Sequence, residues 1–161
     1  MALFRSDAVF RRITDIDFEY LKENNINTLL LDVDNTLSTH HGTILVDGLV
    51  EWLEVIQDKG IKLIVVSNSK RWRIEPFAGR IGLPFVSLAC KPLPFGYHKG
   101  IKKLGADKKR TAIIGDQIFT DVLGANLYGI KSLLVRPVKL EDGWTFKVRR
   151  YFEKKMLKDK F

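Results

Sequence analysis

The sequence predicts an α/β fold of Rossmann-like type: a three-layer sandwich with a parallel sheet of about five strands between helices. Two observations carry that expectation. Short apolar runs rich in branched residues alternate with amphipathic stretches, the pattern of strands buried on both faces and connected by helices. Polar and acidic residues close several of those runs, at the carboxyl ends where the loops of an open parallel sheet converge on a ligand. The length agrees, since 161 residues, 45% of them hydrophobic and 29% charged, suit a single domain over 1–161 whose core needs no staples.

The first strand covers residues 28–33 (TLLLDV) and runs out into Asp32-Val33-Asp34-Asn35-Thr36. Asp47 is placed to cap the next helix, which puts Leu49, Trp52, Leu53 and Ile56 on one face and stops at Gly60. The second strand, 61–66 (IKLIVV), ends in Ser67-Asn68-Ser69, and a helix over about 73–81 follows. A short third strand at 84–87 leads past Lys91 to a helix over about 96–104. The fourth strand, 111–115, ends in Gly115-Asp116-Gln117; a helix over about 119–128 then returns the chain to a fifth strand at 132–135.

Asp32 and Asp34 lie two residues apart on an extended segment, so their side chains point the same way while Val33 turns into the protein. Two like charges in one pocket are expensive without a cation or a proton between them. Asp116, at another strand end, adds a third carboxylate. Three carboxylates at one rim predict a hard cation with oxygen ligands, and Mg²⁺ is the usual choice where a phosphate completes its shell. Lys91 offers a positive charge for phosphoryl oxygens, and the Ser67 hydroxyl with neighbouring amides offers neutral donors. Thr36 and Asn68 are candidate substrate contacts beside them. Taken singly, each feature has a plain alternative: Asp116 as a helix cap, Lys91 as a solvated loop lysine, Ser67-Asn68 as a turn.

Together, LLLDVDNTL, IVVSNS, the lysine of CKPLP and IIGDQIFTD resemble, in order, the four motifs of the haloacid dehalogenase superfamily of phosphatases, over residues 28–137. The resemblance implies that Asp32 is the nucleophile, forming an aspartyl-phosphate, and that Asp34 is the general acid and base. It implies metal binding by the Asp32 carboxylate, the Asp34 backbone carbonyl and the Asp116 carboxylate. Asp121 would support that shell or hold Lys91, and Ser67 and Lys91 would bind the phosphoryl group. Members acting on small metabolites carry a cap domain between motifs; here 32 residues separate Asp34 from Ser67 and 23 separate Ser67 from Lys91, too few for one. The segments PFAGRIGLPFVSLACKPLP and IIGDQIFTDVLGANLYG look like the YqeG-type branch, subfamily IIIA, which is related to phosphatases that convert phosphatidylglycerophosphate to phosphatidylglycerol.

A formal charge of +8 favours an anionic partner. Residues 91–110 hold seven Lys and Arg against Asp107 alone, and 144–161 hold seven basic and two acidic side chains with Trp144, Val148, Tyr151, Phe152 and Met156 at helical spacing. Such a C-terminal segment suits the plane of an anionic bilayer, or packs on its own domain. The N-terminal Leu3, Phe4, Val9, Phe10 and Ile13 pose the same choice. His40 and His41, after the first motif, are conceivable head-group contacts. A lone cysteine, Cys90, excludes an internal disulfide, and no stretch reads as a signal peptide or a membrane span. The expectation is a cytoplasmic protein, peripheral at the membrane, that hydrolyses a lipid phosphomonoester. A phosphatase of a protein, nucleotide or sugar phosphate competes with it, as does an RNA- or ribosome-binding protein on the same fold.

Overall fold

The computed structural model describes residues 2–39 and 44–137; His40, His41 and the basic segment 144–161 lie outside them. Six parallel strands form one sheet in the order β1-β6-β5-β2-β3-β4, with β1 Ala8–Phe10, β2 Thr28–Leu31, β3 Lys62–Val66, β4 Phe85–Val86, β5 Thr111–Gly115 and β6 Lys131–Val135. The first motif therefore sits mid-sheet: β2 pairs with β3 through Leu29 and Leu63 and with β5 through Leu29 and Ala112. Five strands match the apolar runs, and the sixth, β1, was not expected.

The apolar runs are continuous because each sheet face has its own core, and alternate residues serve alternate faces. Leu29, Leu31, Leu63, Val65 and Ile114 pack with α2 (Leu49–Asp58) and α3 (Arg71–Ile81) on one side. Leu30, Ile64, Val66 and Ile113 pack with Tyr97 and Ile101 of α4 (Phe95–Leu104) and Ala125 of α5 (Leu123–Tyr128) on the other. Trp52 closes the first core and donates its indole N–H to the Ile16 carbonyl at 2.7 Å.

Three local expectations need correction. β1 is a half-buried edge strand of three residues, too short for a periodic signal; its register against β6 is fixed beside it by Asp7, whose backbone N–H donates to Ser132 O at 2.9 Å and whose carboxylate accepts the Ser132 N–H at 2.8 Å. A short helix, α1 (Phe18–Glu23), capped by Asp17, was likewise not expected. Asp47 does not cap α2: Gly48 precedes Leu49 with φ of 77°, a left-handed conformation that a residue without Cβ takes freely. The N-terminal apolar residues are largely taken up by the domain. Ile13 is buried, Phe4 and Val9 pack on Ile118, Val122 and Leu134, and Phe10 meets Tyr20 edge to face.

Candidate active site

The first motif leaves the sheet at Asp32, whose N–H still donates to Ile114 O at 3.0 Å. The chain then coils tightly, the Val33 carbonyl accepting from the N–H groups of Leu37 and Ser38 and Asn35 adopting a φ of 61°. Asp32 and Asp34 end on the same pocket, as their spacing requires. Their partners differ.

Asp32 faces Lys91. The Lys91 ammonium donates to Asp32 Oδ1 at 2.9 Å and to Asp121 Oδ1 at 2.7 Å, and its side chain is 2% exposed. The loop before α4 is shaped to deliver it. Asn68 Oδ1 accepts the Lys91 N–H at 2.7 Å, Asn68 Nδ2 donates to the Lys91 carbonyl at 3.1 Å, and Leu88 and Cys90 have positive φ on the way. Asn68 thus positions Lys91 through both ends of its amide, on the pocket wall.

Asp121 reaches this centre from a π-type turn, Ile118–Val122, ahead of α5, where a continuous helix was expected. Its Oδ2 accepts the Gln117 N–H at 3.2 Å. The approach depends on Gly115, since a Cβ there would lie 2.2 Å from Asp121 Oδ2. Oxygens of Asp32, Asp116 and Asp121 all fall within 4.8 Å of one another. Burial by itself would draw the Lys91 ammonium down, yet Asp121 and Asp32 outweigh it and hold Lys91 charged, above the ordinary lysine range. Asp121 is pushed up to about 6 by burial, with Asp32 adding to the rise and Lys91 opposing it. Among the described residues, three carboxylates gather around one ammonium. That excess of negative charge is what a divalent cation would correct, and an all-carboxylate donor set suits Mg²⁺. Because both Asp121 oxygens already accept hydrogen bonds, Asp32 and Asp116 are the carboxylates suited to face the ion.

Asp34 is held from outside. Arg73, on the first turn of α3, donates through Nη1 to Asp34 Oδ2 at 2.9 Å and to Ser69 Oγ at 2.7 Å, while Nη2 donates to Asp34 Oδ1. The pair is partly solvated, with both side chains about one-fifth exposed. The Arg73 guanidinium thus has an internal partner 39 residues away in sequence.

The pocket itself has a volume of about 90 Å³ and is lined by Asp32, Asp34, Ser67, Asn68, Ser69 and Lys91, with Gln117 and Thr120. Ser67 is buried, and its hydroxyl accepts the Ser69 N–H at 3.1 Å. Asp116 and Asp121 are buried and do not line the pocket. Thr36 is not brought in; it lines a neighbouring cavity with Arg11 and Arg12. Sequence reasoning missed Ser69, Thr120 and Tyr97, whose buried hydroxyl donates to Thr120 O at 2.8 Å.

The family model of the haloacid dehalogenase-like hydrolases matches residues 20–129, most of the chain and all four motifs. The chain belongs to this family. A curated relative, the probable phosphatase YqeG of Bacillus subtilis strain 168, is 34% identical over 154 residues, 96% of this chain and 90% of that protein. Among solved structures, an uncharacterized protein from Listeria monocytogenes serotype 4b superposes with a TM-score of 0.58 at 17% identity, covering 81% of this chain and 99% of the other. A putative haloacid dehalogenase-like hydrolase from Bacteroides fragilis gives 0.58 at 16% identity, covering 77% and 93%. These two likenesses bear on the fold, a haloacid dehalogenase-like α/β sheet; the family and the YqeG relative make the enzyme class that of a phosphatase.

Proposed function

We propose that this phosphatase hydrolyses a lipid phosphomonoester at an anionic membrane surface, phosphatidylglycerophosphate above all, through an aspartyl-phosphate on Asp32. The observation that carries the chemistry is the Lys91 ammonium held between Asp32 and Asp121 beside a small pocket. Asp32 Oδ attacks phosphorus in line and the bond to the leaving oxygen breaks, with Asp34 giving that oxygen a proton. Asp34 then takes a proton from water, whose oxygen attacks phosphorus and frees Asp32 and inorganic phosphate. Lys91 and the Ser67 hydroxyl bind the non-bridging oxygens, where charge gathers in the transition state. Mg²⁺, held by Asp32 and Asp116 with the Asp34 carbonyl, would supply further charge neutralisation there.

The lipid substrate is supported by the small, uncapped pocket. Residues between Asp34 and Ser67 form α2 and β3, and those between Ser67 and Lys91 form α3 and β4, with no inserted domain among those described. With no cap over it, the small pocket suits a phosphate presented on a large surface. The test is phosphate release from lipid, sugar, nucleotide and phosphopeptide substrates by the magnesium-loaded protein, with Asp32→Asn as the blank and chelated protein as a second control. Preference for a sugar or nucleotide phosphate over the lipid would overturn the substrate, and inertness toward every phosphomonoester would overturn the chemistry.

A further inference from the structure

Nine large hydrophobic side chains are exposed among the described residues, and four of them stand on or next to the two loops beside the pocket: Trp72 on the first turn of α3 at 75%, Leu88 and Leu93 on the loop before α4 at 54% and 60%, and Phe95 at the start of α4 at 57%. Their exposure excludes a part in the core. The loops are laced into one rim, since the Leu88 N–H donates to Ser69 O at 2.9 Å and Asn68 grips the Lys91 backbone. A single loop therefore turns Lys91 inward, 6% exposed, and displays Leu88 and Leu93 outward.

The charge around them is one-sided. Residues 67–100 contain six Lys and Arg and a single acid, Glu75, which pairs with Arg71 at 3.1 Å. Lys70 and Lys99 are exposed, and the Lys99 ammonium lies 5.7 Å from the Phe95 ring centroid, so charge and apolar surface stand side by side. No helix among the described residues is long and apolar enough to cross a membrane.

We propose that this rim is a membrane-docking face: Trp72, Leu88, Leu93 and Phe95 enter the interface of an anionic bilayer while Lys70, Arg71 and Lys99 lie against its headgroups. Aromatic and aliphatic side chains are favoured at the boundary between headgroups and acyl chains, and nearby basic charges add attraction to anionic lipid. Protruding leucines fit that boundary better than the polar, stacked surface of a nucleic acid. The proposal rests on the lipid-phosphate reading for its choice of a bilayer, and it adds the orientation: docked this way, the pocket opens onto the lipid surface, and a phosphoryl group reaches Asp32 without leaving it.

The experiment uses the full-length protein with vesicles of phosphatidylcholine alone or mixed with phosphatidylglycerol. Wild type should sediment with the anionic vesicles, and the double variant Trp72→Asp/Leu93→Asp should bind them about tenfold more weakly or worse, while still hydrolysing a water-soluble phosphomonoester such as p-nitrophenyl phosphate. The vesicle-induced blue shift of tryptophan emission should vanish in Trp72→Phe, which keeps the proposal testable even if the double variant fails to fold. A shift that persists in Trp72→Phe would point to another tryptophan, such as Trp144, and overturn the assignment of this face. So would double-variant binding equal to wild type, or wild-type protein that ignores anionic vesicles. The two readings fail separately. Rim-dependent vesicle binding without turnover of any lipid phosphate leaves the docking face standing and removes the substrate, whereas lipid turnover with rim-independent binding does the reverse.

Discussion

Asp32 and Asp34 are two residues apart, yet they belong to different electrostatic regimes. Asp32 pairs with a lysine that is 2% exposed and shared with a buried aspartate; Asp34 pairs with an arginine that is 22% exposed and shared with a serine hydroxyl. The inner pair is part of a buried network in which every charge depends on the others. In the outer pair, water can replace either partner at little expense. Neighbouring carboxylates of one motif can thus be fixed and exchangeable, which suits the roles proposed for them, a nucleophile that must stay aligned and a proton carrier that must serve two steps.

Substitutions can break or sharpen that contrast. The largest effect is expected from Asp32→Asn, which removes the proposed nucleophile and should lower phosphate release by about 10⁴-fold or more, against about 10²–10⁴-fold for Asp34→Asn; steady-state assays at saturating magnesium decide it, and near-wild-type turnover by Asp32→Asn would end the assignment. Next, Lys91→Met leaves Asp32 and Asp121 facing each other without their cation, and should destabilise the fold by about 3–5 kcal/mol in urea titration.

Gly124→Ala sharpens the inner side. A Cβ at Gly124 would lie 2.0 Å from the Tyr97 hydroxyl, so the ring that packs behind the Lys91 centre must move. An overpacking loss of about 1–3 kcal/mol is expected in thermal denaturation. The smallest effect is Arg73→Gln, at about 1 kcal/mol or less in stability, because the partners it leaves are reached by solvent. A loss equal to that of Lys91→Met would erase the distinction between the two pairs.

The sequence alone determined the five strands whose residues are apolar on both faces, because burial on both sides writes itself locally as an unbroken run. It also determined the acidic strand ends, and the i, i+2 spacing that sends Asp32 and Asp34 to one side. Half-buried β1 left no such trace; three residues flanked by Asp7 and Arg11 carry too little periodicity, and their pairing with β6 is a contact more than 120 residues distant in sequence. Only the tertiary structure decided which cation meets which carboxylate. Lys91 and Asp32 are 59 positions apart, Lys91 and Asp121 are 30, and Arg73 and Asp34 are 39. It likewise decided that Asn68 clamps a backbone and that Gly115 clears a path for Asp121. Hydrophobic periodicity records which face of its own element a residue occupies; it carries no record of what another element brings to that face.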